Sequence, residues 1–282
     1  MIGRAVKGRA MRGGLVLPAL AVIGLVAGGA VWQNRSEPAS VASPELVHLA
    51  GGPVRYRPPG EFRIGTQVMD PPVLQSVAPG IDIMAYQVSV ADYAVCVADR
   101  VCAALRGQGQ ADQPRTGVSF VDATTYAAWL SDQTGQVWRL PTDAEWLRAA
   151  GDRAPDDAVL TSAGNDDPSR RWLDSYRQDA ALRGATDPII HPLGHFGLND
   201  QGVADIAGNV WEWTATCFQN GTLGADGQSI ATVVDHCGVR AVQGRHRTYV
   251  IDFIRDARSG GCGVGLPPDF LGFRLVRDAG QS

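Results

Sequence analysis

The chain has 282 residues, 45% hydrophobic and 19% charged, an ordinary composition for one large folded domain or two small ones. Its formal net charge is −4; without the first 30 residues, which hold four cations and no acid, 21 Lys+Arg face 29 Asp+Glu, a net charge near −8. A body that acidic argues against DNA, RNA or anionic membrane surfaces as partners.

Residues 1–31 form a targeting segment. Arg4, Lys7, Arg9 and Arg12 precede an apolar run from Gly13 to Val31, long enough to span a bilayer. A cleavable secretory signal with a small-residue site at Ala27–Ala30 and an uncleaved N-terminal anchor both fit. Either way the body is exported, which in a bacterium means a periplasmic or external location, and the inner membrane is touched only through this segment if it is retained. Residues 32–49, rich in Ser and Pro, are expected to be a linker. The folded domain is expected over 50–279, opening with a hairpin or a strand–turn–strand around Pro58-Pro59-Gly60.

Three helix starts follow. Ser89, Ser119 and Thr142 each stand three residues before an acid (Asp92, Asp122, Glu145) and just before an apolar periodic run. Each hydroxyl can accept from an otherwise unbonded backbone N–H, while the acid answers back to the cap. Arg139 and the acids of Thr142–Glu145 are assigned to capping and an ion pair rather than to catalysis. His191 and His195 have a spacing that would suit a metal on a helix, but Pro192 and Gly194 make a helix there unfavourable, so they are taken as loop histidines.

Asp205-Ile206-Ala207-Gly208-Asn209-Val210-Trp211-Glu212-Trp213-Thr214 concentrates two carboxylates and two indoles in ten residues, without a helical stripe or a clean alternation. Two readings are open. In one, it is a tight turn in which Glu212 pairs with an Arg and the Trp rings fill the core. In the other, a hard cation such as Ca²⁺ collects its carboxylates and carbonyls.

Of five cysteines, Cys96 and Cys102 are six residues apart. On a continuous helix their Cα atoms would be about 9 Å apart, too far for a bridge, so pairing them requires the helix to end near Asp99-Arg100 and turn back. Cys217 and Cys237 flank an excursion of some twenty residues, whose closure contributes about 3 kcal/mol in the chain-entropy account. Cys262 is left over. No cluster of Cys and His has zinc spacing.

Asp205–Trp213 resembles the D-M-x-G-N-V-W-E-W signature of the formylglycine-generating-enzyme (FGE-sulfatase) domain family. Arg139–Trp146 is similar to its R-L-P-T-E-A-E-W, Pro59–Gly65 to its opening P-G-G-x-F-x-M-G, and Gly272–Val276 to its closing G-F-R-L-V, all in the family's order. The resemblance implies an α+β fold, a single domain with a C-type-lectin-like core and much irregular structure. It also implies a structural calcium held by the Asp205 and Glu212 side chains and the Gly208 and Val210 carbonyls. Active family members bind copper(I) through two cysteines five residues apart. The corresponding stretch, Arg240–Arg258, contains no cysteine; Arg245 and Val250 stand at those positions, and neither supplies the soft thiolate that Cu(I) requires.

That stretch carries Arg245, His246, Arg247, Tyr249, Asp252, Arg255 and Arg258 where the family has its substrate cleft. Guanidinium forks suit carboxylates and other oxyanions, and equally suit neighbouring Asp and Glu in an acidic protein. The sequence here is similar to one family subgroup, exported proteins associated with copper nitrite reductase in denitrifying bacteria. The expectation is an accessory or maturation protein that binds a small anionic ligand or an exported redox enzyme. The alternative is a cysteine-independent oxidoreductase like the periplasmic siderophore-precursor oxidases of the same family.

Overall fold

Each expected capping box closes, and the helices follow from them. In the computed structural model, which describes residues 43–107, 109–155, 173–174, 177, 189–251 and 270–280, Ser89, Ser119 and Thr142 accept from the backbone N–H groups of Asp92, Asp122 and Glu145, and those acids accept from the cap N–H groups. The helices are α1 (Val90–Ala98), α2 (Phe120–Thr134) and α3 (Asp143–Ala150). Helix α1 ends where the cysteine spacing required: Asp99 is its C-cap, and Arg100 turns back with φ 63°. Cys96 and Cys102 are thereby brought to a Cα separation of 5.3 Å and bridged.

The strands are β1 (Leu46–Leu49), β2 (Gly52–Tyr56), β3 (Gly60–Ile64), β4 (Gln67–Met69), β5 (Leu74–Ala78), β6 (Ile81–Met84), β7 (Trp211–Leu223), β8 (Ile230–Gln243), β9 (Thr248–Ile251), β10 (Leu271–Gly272) and β11 (Val276–Asp278). They form a three-stranded antiparallel sheet in the order β1-β6-β11, a two-stranded sheet β2-β5, and a six-stranded sheet in the order β4-β3-β7-β8-β9 with β10 paired to β7. The expected linker ran too far, because the apolar Leu46–Leu49 is already β1, hydrogen-bonded to β6. The segment around Pro58-Pro59 is a strand–turn–strand and not a hairpin, since β2 and β3 enter different sheets. Gly60 (φ 136°) is required there: a Cβ would run into the Gln219 carbonyl where β3 lies parallel to β7.

Asp82 in the middle strand of the small sheet pairs with His48 of β1 at 2.8 Å and Arg277 of β11 at 3.0 Å. Burial pushes its carboxyl up, but both partners outweigh that and hold it below the usual carboxylate range. Two apolar clusters fill the interior. One gathers Tyr93, Tyr126, Trp129, Leu130, Trp213 and Phe273; the other gathers Ile81, Ile83, Trp146, Leu147, Ile206 and Val276. Among the described residues no helix is long and apolar enough to cross a membrane. Residues 1–31, the expected targeting segment, lie outside them.

Candidate functional site

The Asp205–Thr214 stretch divides in two. Asp205–Val210 is an irregular turn, and Trp211 opens β7. Asp205, Ala207 and Asn209 all take left-handed backbone conformations, with φ of 53°, 58° and 56°. Non-glycine residues held there cost on the order of 1 kcal/mol or more each, and they persist only where surroundings fix them. The surroundings are visible. The Asp205 carboxylate accepts from the N–H groups of Gly194 (2.5 Å) and Phe196 (2.7 Å), while the Asn209 side chain exchanges two 3.0 Å hydrogen bonds with the backbone of His191. Asp and Asn thus suit the left-handed positions and clamp the 191–196 loop at the same time.

Glu212 is fully buried, and its charge is answered from four directions. Arg274 donates through Nε to Oε2 (2.6 Å) and through Nη2 to Oε1 (2.7 Å); Trp146 Nε1 donates to Oε2 (2.9 Å) and Gln87 Nε2 to Oε1 (2.8 Å). The remaining Arg274 donors reach the carbonyls of Met84, Ala85 and Ala204. This node ties β7, α3, the segment after β6 and the segment before β11 together at one point.

The residues named for calcium do not fit that ion as arranged. A cation would have to displace a bidentate guanidinium and two further donors from Glu212, Asp205 already serves two backbone N–H groups, and the Gly208 carbonyl accepts from Val210 N–H at 2.7 Å. Among the described residues no group of three or more His, Cys, Asp or Glu could hold a metal. The stretch forms a turn in which Glu212 pairs with Arg274. His191 and His195 stack with ring centroids 3.9 Å apart and planes 8° from parallel. A bound metal lies in the plane of each imidazole, and two stacked parallel planes cannot share one.

The cleft residues are sorted by the fold. Arg247 is 5% exposed and donates to the Asp143 carboxylate (3.2 Å, itself 1% exposed) and to the Arg57 carbonyl (2.7 Å). Gln243 Nε2 donates to the other Asp143 oxygen at 2.6 Å. Arg247 is therefore a buried structural ion pair at the N-terminus of α3, as the alternative reading of the Arg cluster required. Tyr249 Oη accepts from Gly60 N–H at 2.7 Å, with its ring edge-on to Phe218, and so ties β9 to the start of β3. The His246 carbonyl accepts from Trp211 Nε1 (3.1 Å), and its ring lies edge-on to Trp211, which also meets the half-exposed Phe270. Arg245 is half-buried, and Val250 packs against the larger apolar cluster. Asp252, Arg255, Arg258 and Cys262 lie outside the described residues.

Arg139 and Glu145 meet as a fork, 2.8 Å on both arms, and Glu145 also accepts from Thr142 N–H at 2.7 Å. Burial pushes the Glu145 carboxyl up, but Arg139 and the Thr142 backbone outweigh it and hold it below its usual range. Cys217 and Cys237 are bridged across β7 and β8, so the twenty-residue excursion is a long hairpin. Sequence reasoning missed Gln87 and Asp143 as partners. Gln87 stands in no motif that announces it, whereas Asp143 stood in the Arg139–Trp146 stretch and Arg274 in the closing G-F-R-L-V.

Residues 33–279 match the domain family described as Sulfatase-modifying factor enzyme 1-like domain, FGE-sulfatase. The chain is 34% identical over 151 residues to the formylglycine-generating enzyme of Thermomonospora curvata, covering 49% of this chain and 46% of that protein. It is 36% identical over 111 residues to the Bos taurus protein called inactive C-alpha-formylglycine-generating enzyme 2, covering 38% and 34%. The chain thus spans less than half the length of these curated relatives. The solved structure of PvdO from Pseudomonas aeruginosa matches with a TM-score of 0.54 at 23% identity, covering 83% of this chain and 94% of that one, a likeness of fold.

Proposed function

The chain belongs to the FGE-sulfatase family of sulfatase-modifying factor enzyme 1-like domains, and from that premise we propose that it is an accessory or maturation protein without formylglycine-generating activity. Its cleft holds a small anionic ligand or a partner protein, an exported redox enzyme of the copper nitrite reductase kind. The observation that carries this reading is the pair of residues at the two family cysteine positions. Val250 packs against the core, and Arg245, half-buried, stands next in the chain to His246, whose ring meets Trp211. Neither can hold Cu(I), and the guanidinium suits an oxyanion.

The test uses purified full-length protein supplied with copper and a sulfatase-type Cys peptide. The expected result is no aldehyde product by mass spectrometry and no oxygen consumption. Aldehyde formation would overturn the reading, and oxygen uptake would favour the cysteine-independent oxidoreductase instead. For binding, Arg245→Ala is expected to fold normally, within about 0.5 kcal/mol of the parent, and to lose capture of the nitrite-reductase-type partner. Undiminished capture would place the binding surface elsewhere.

A further inference from the structure

The two disulfides differ in a way that neither loop length nor spacing requires. Cys96 and Cys102 are 0% and 5% exposed, sealed in the larger apolar cluster. Cys237 is exposed on β8, while its partner Cys217 is half-buried on β7. Arg240 Nη1 lies 3.1 Å from Cys217 Sγ. The guanidinium is held in that position: it also donates to the Ala215 carbonyl at 2.7 Å and lies over the Phe120 ring at 4.3 Å. A fixed cation against the less accessible sulfur is unneeded for a purely structural bridge, since a disulfide carries no charge.

It is suited to thiol exchange. Exchange proceeds by attack of a thiolate on an accessible sulfur, and it is faster the better the other sulfur bears negative charge as it leaves. A neighbouring Arg stabilises a cysteine thiolate. Here the accessible sulfur and the stabilised leaving group are the two ends of one bridge, with their roles assigned by exposure and by Arg240.

We propose that Cys217–Cys237 is an exchange site for a dithiol partner, in which a partner thiolate attacks Cys237 Sγ and Cys217 leaves as a thiolate against Arg240. The attack forms a bond between the donor sulfur and Cys237 and breaks the Cys237–Cys217 bond, whose electron pair stays on Cys217. The donor's second thiolate then attacks its own sulfur in the mixed disulfide and releases Cys237. Two electrons pass to the protein, and the donor departs as a disulfide. Of the donor's two protons, one ends on Cys237 and one in solvent. This activity is independent of the cleft and of the reading given for it.

The full-length Cys262→Ser protein, natively folded at pH 7, is treated with glutathione, a monothiol that arrests the reaction at the mixed disulfide. The products are alkylated with iodoacetamide and mapped by mass spectrometry. Glutathione is expected on Cys237 and the alkyl group on Cys217, with Cys96–Cys102 intact. Arg240→Met is expected to slow adduct formation about threefold, the factor one pK unit of lost thiolate stabilisation gives at a Brønsted slope of about 0.5, and Arg240→Lys to retain most of the rate. A second measurement needs no Arg240 variant: after reduction with dithiothreitol, Cys217 is expected to alkylate faster than the more exposed Cys237. Glutathione on Cys217, opening of the two bridges only together in denaturant, or alkylation that follows exposure would each overturn the proposal.

Discussion

Two buried arginine–carboxylate pairs differ in how completely they are closed. Glu212 and Arg274 are both 0% exposed, and the carboxylate has four donors. Arg247 and Asp143 are also buried, but they share their shell with Gln243 and the Arg57 carbonyl and stand one residue from the cleft histidine and two from Arg245. The first pair lies within the signature that the chain shares with its family. The second lies in the stretch that contains no cysteine between Arg240 and Arg258. Closure fixes the fold at the first pair. At the second, Arg247 is held by Asp143 and the Arg57 carbonyl.

The largest effect is expected from Arg274→Met. A fully buried Glu212 would lose its charge partner and two hydrogen bonds, costing about 3–5 kcal/mol in chemical denaturation; a loss below 1 kcal/mol would show that the node is not a clamp. Arg247→Met is expected to cost less, about 2–4 kcal/mol, because Gln243 still donates to the Asp143 carboxylate. A near-neutral result would make Arg247 available to a ligand and narrow the contrast.

Glu145→Gln is expected to cost about 1 kcal/mol at neutral pH, since its partner Arg139 is partly exposed. A carboxyl held below its usual range in the folded state stabilises once ionised above about pH 4.3, and that stabilisation is lost as pH falls through the lower folded value. The difference in melting temperature between parent and variant should therefore vanish in acid, as a pH series of melts would show. The smallest effect is expected from a calcium chelator: melting should not move, because the Glu212 charge is already met by Arg274. A calcium-dependent melting temperature would reverse that assignment.

What could be foreseen divides along distance in the chain. The three capping boxes were legible because donor and acceptor are three residues apart. The end of α1 was legible because a bridge between Cys96 and Cys102 admits no continuous helix. The partners of Glu212 were not, since Gln87, Trp146 and Arg274 lie 125, 66 and 62 residues away. A motif can announce that a buried acid needs an answer without saying whether a metal or a guanidinium gives it. The same limit applied to the cleft: the sequence showed a cluster of Arg, and only the fold showed Arg247 turned inward onto Asp143 of α3.

The order of strands in the small sheet bears on how the protein is made. β6 is flanked by β1 and β11, the first and last strands among the described residues, with Arg277 reaching Asp82 across 195 residues. The Glu212 clamp likewise waits for Arg274. During synthesis at the ribosome, the early strands therefore emerge long before the residues that finish their sheet. Sequence-distant closure of this kind slows folding. A nascent chain stopped short of Val276 lacks the closing strand, and one stopped short of Arg274 also leaves a buried acid unanswered. Such truncated chains leave a sheet edge unpaired, whereas a chain carried through Asp278 completes both the sheet and the clamp.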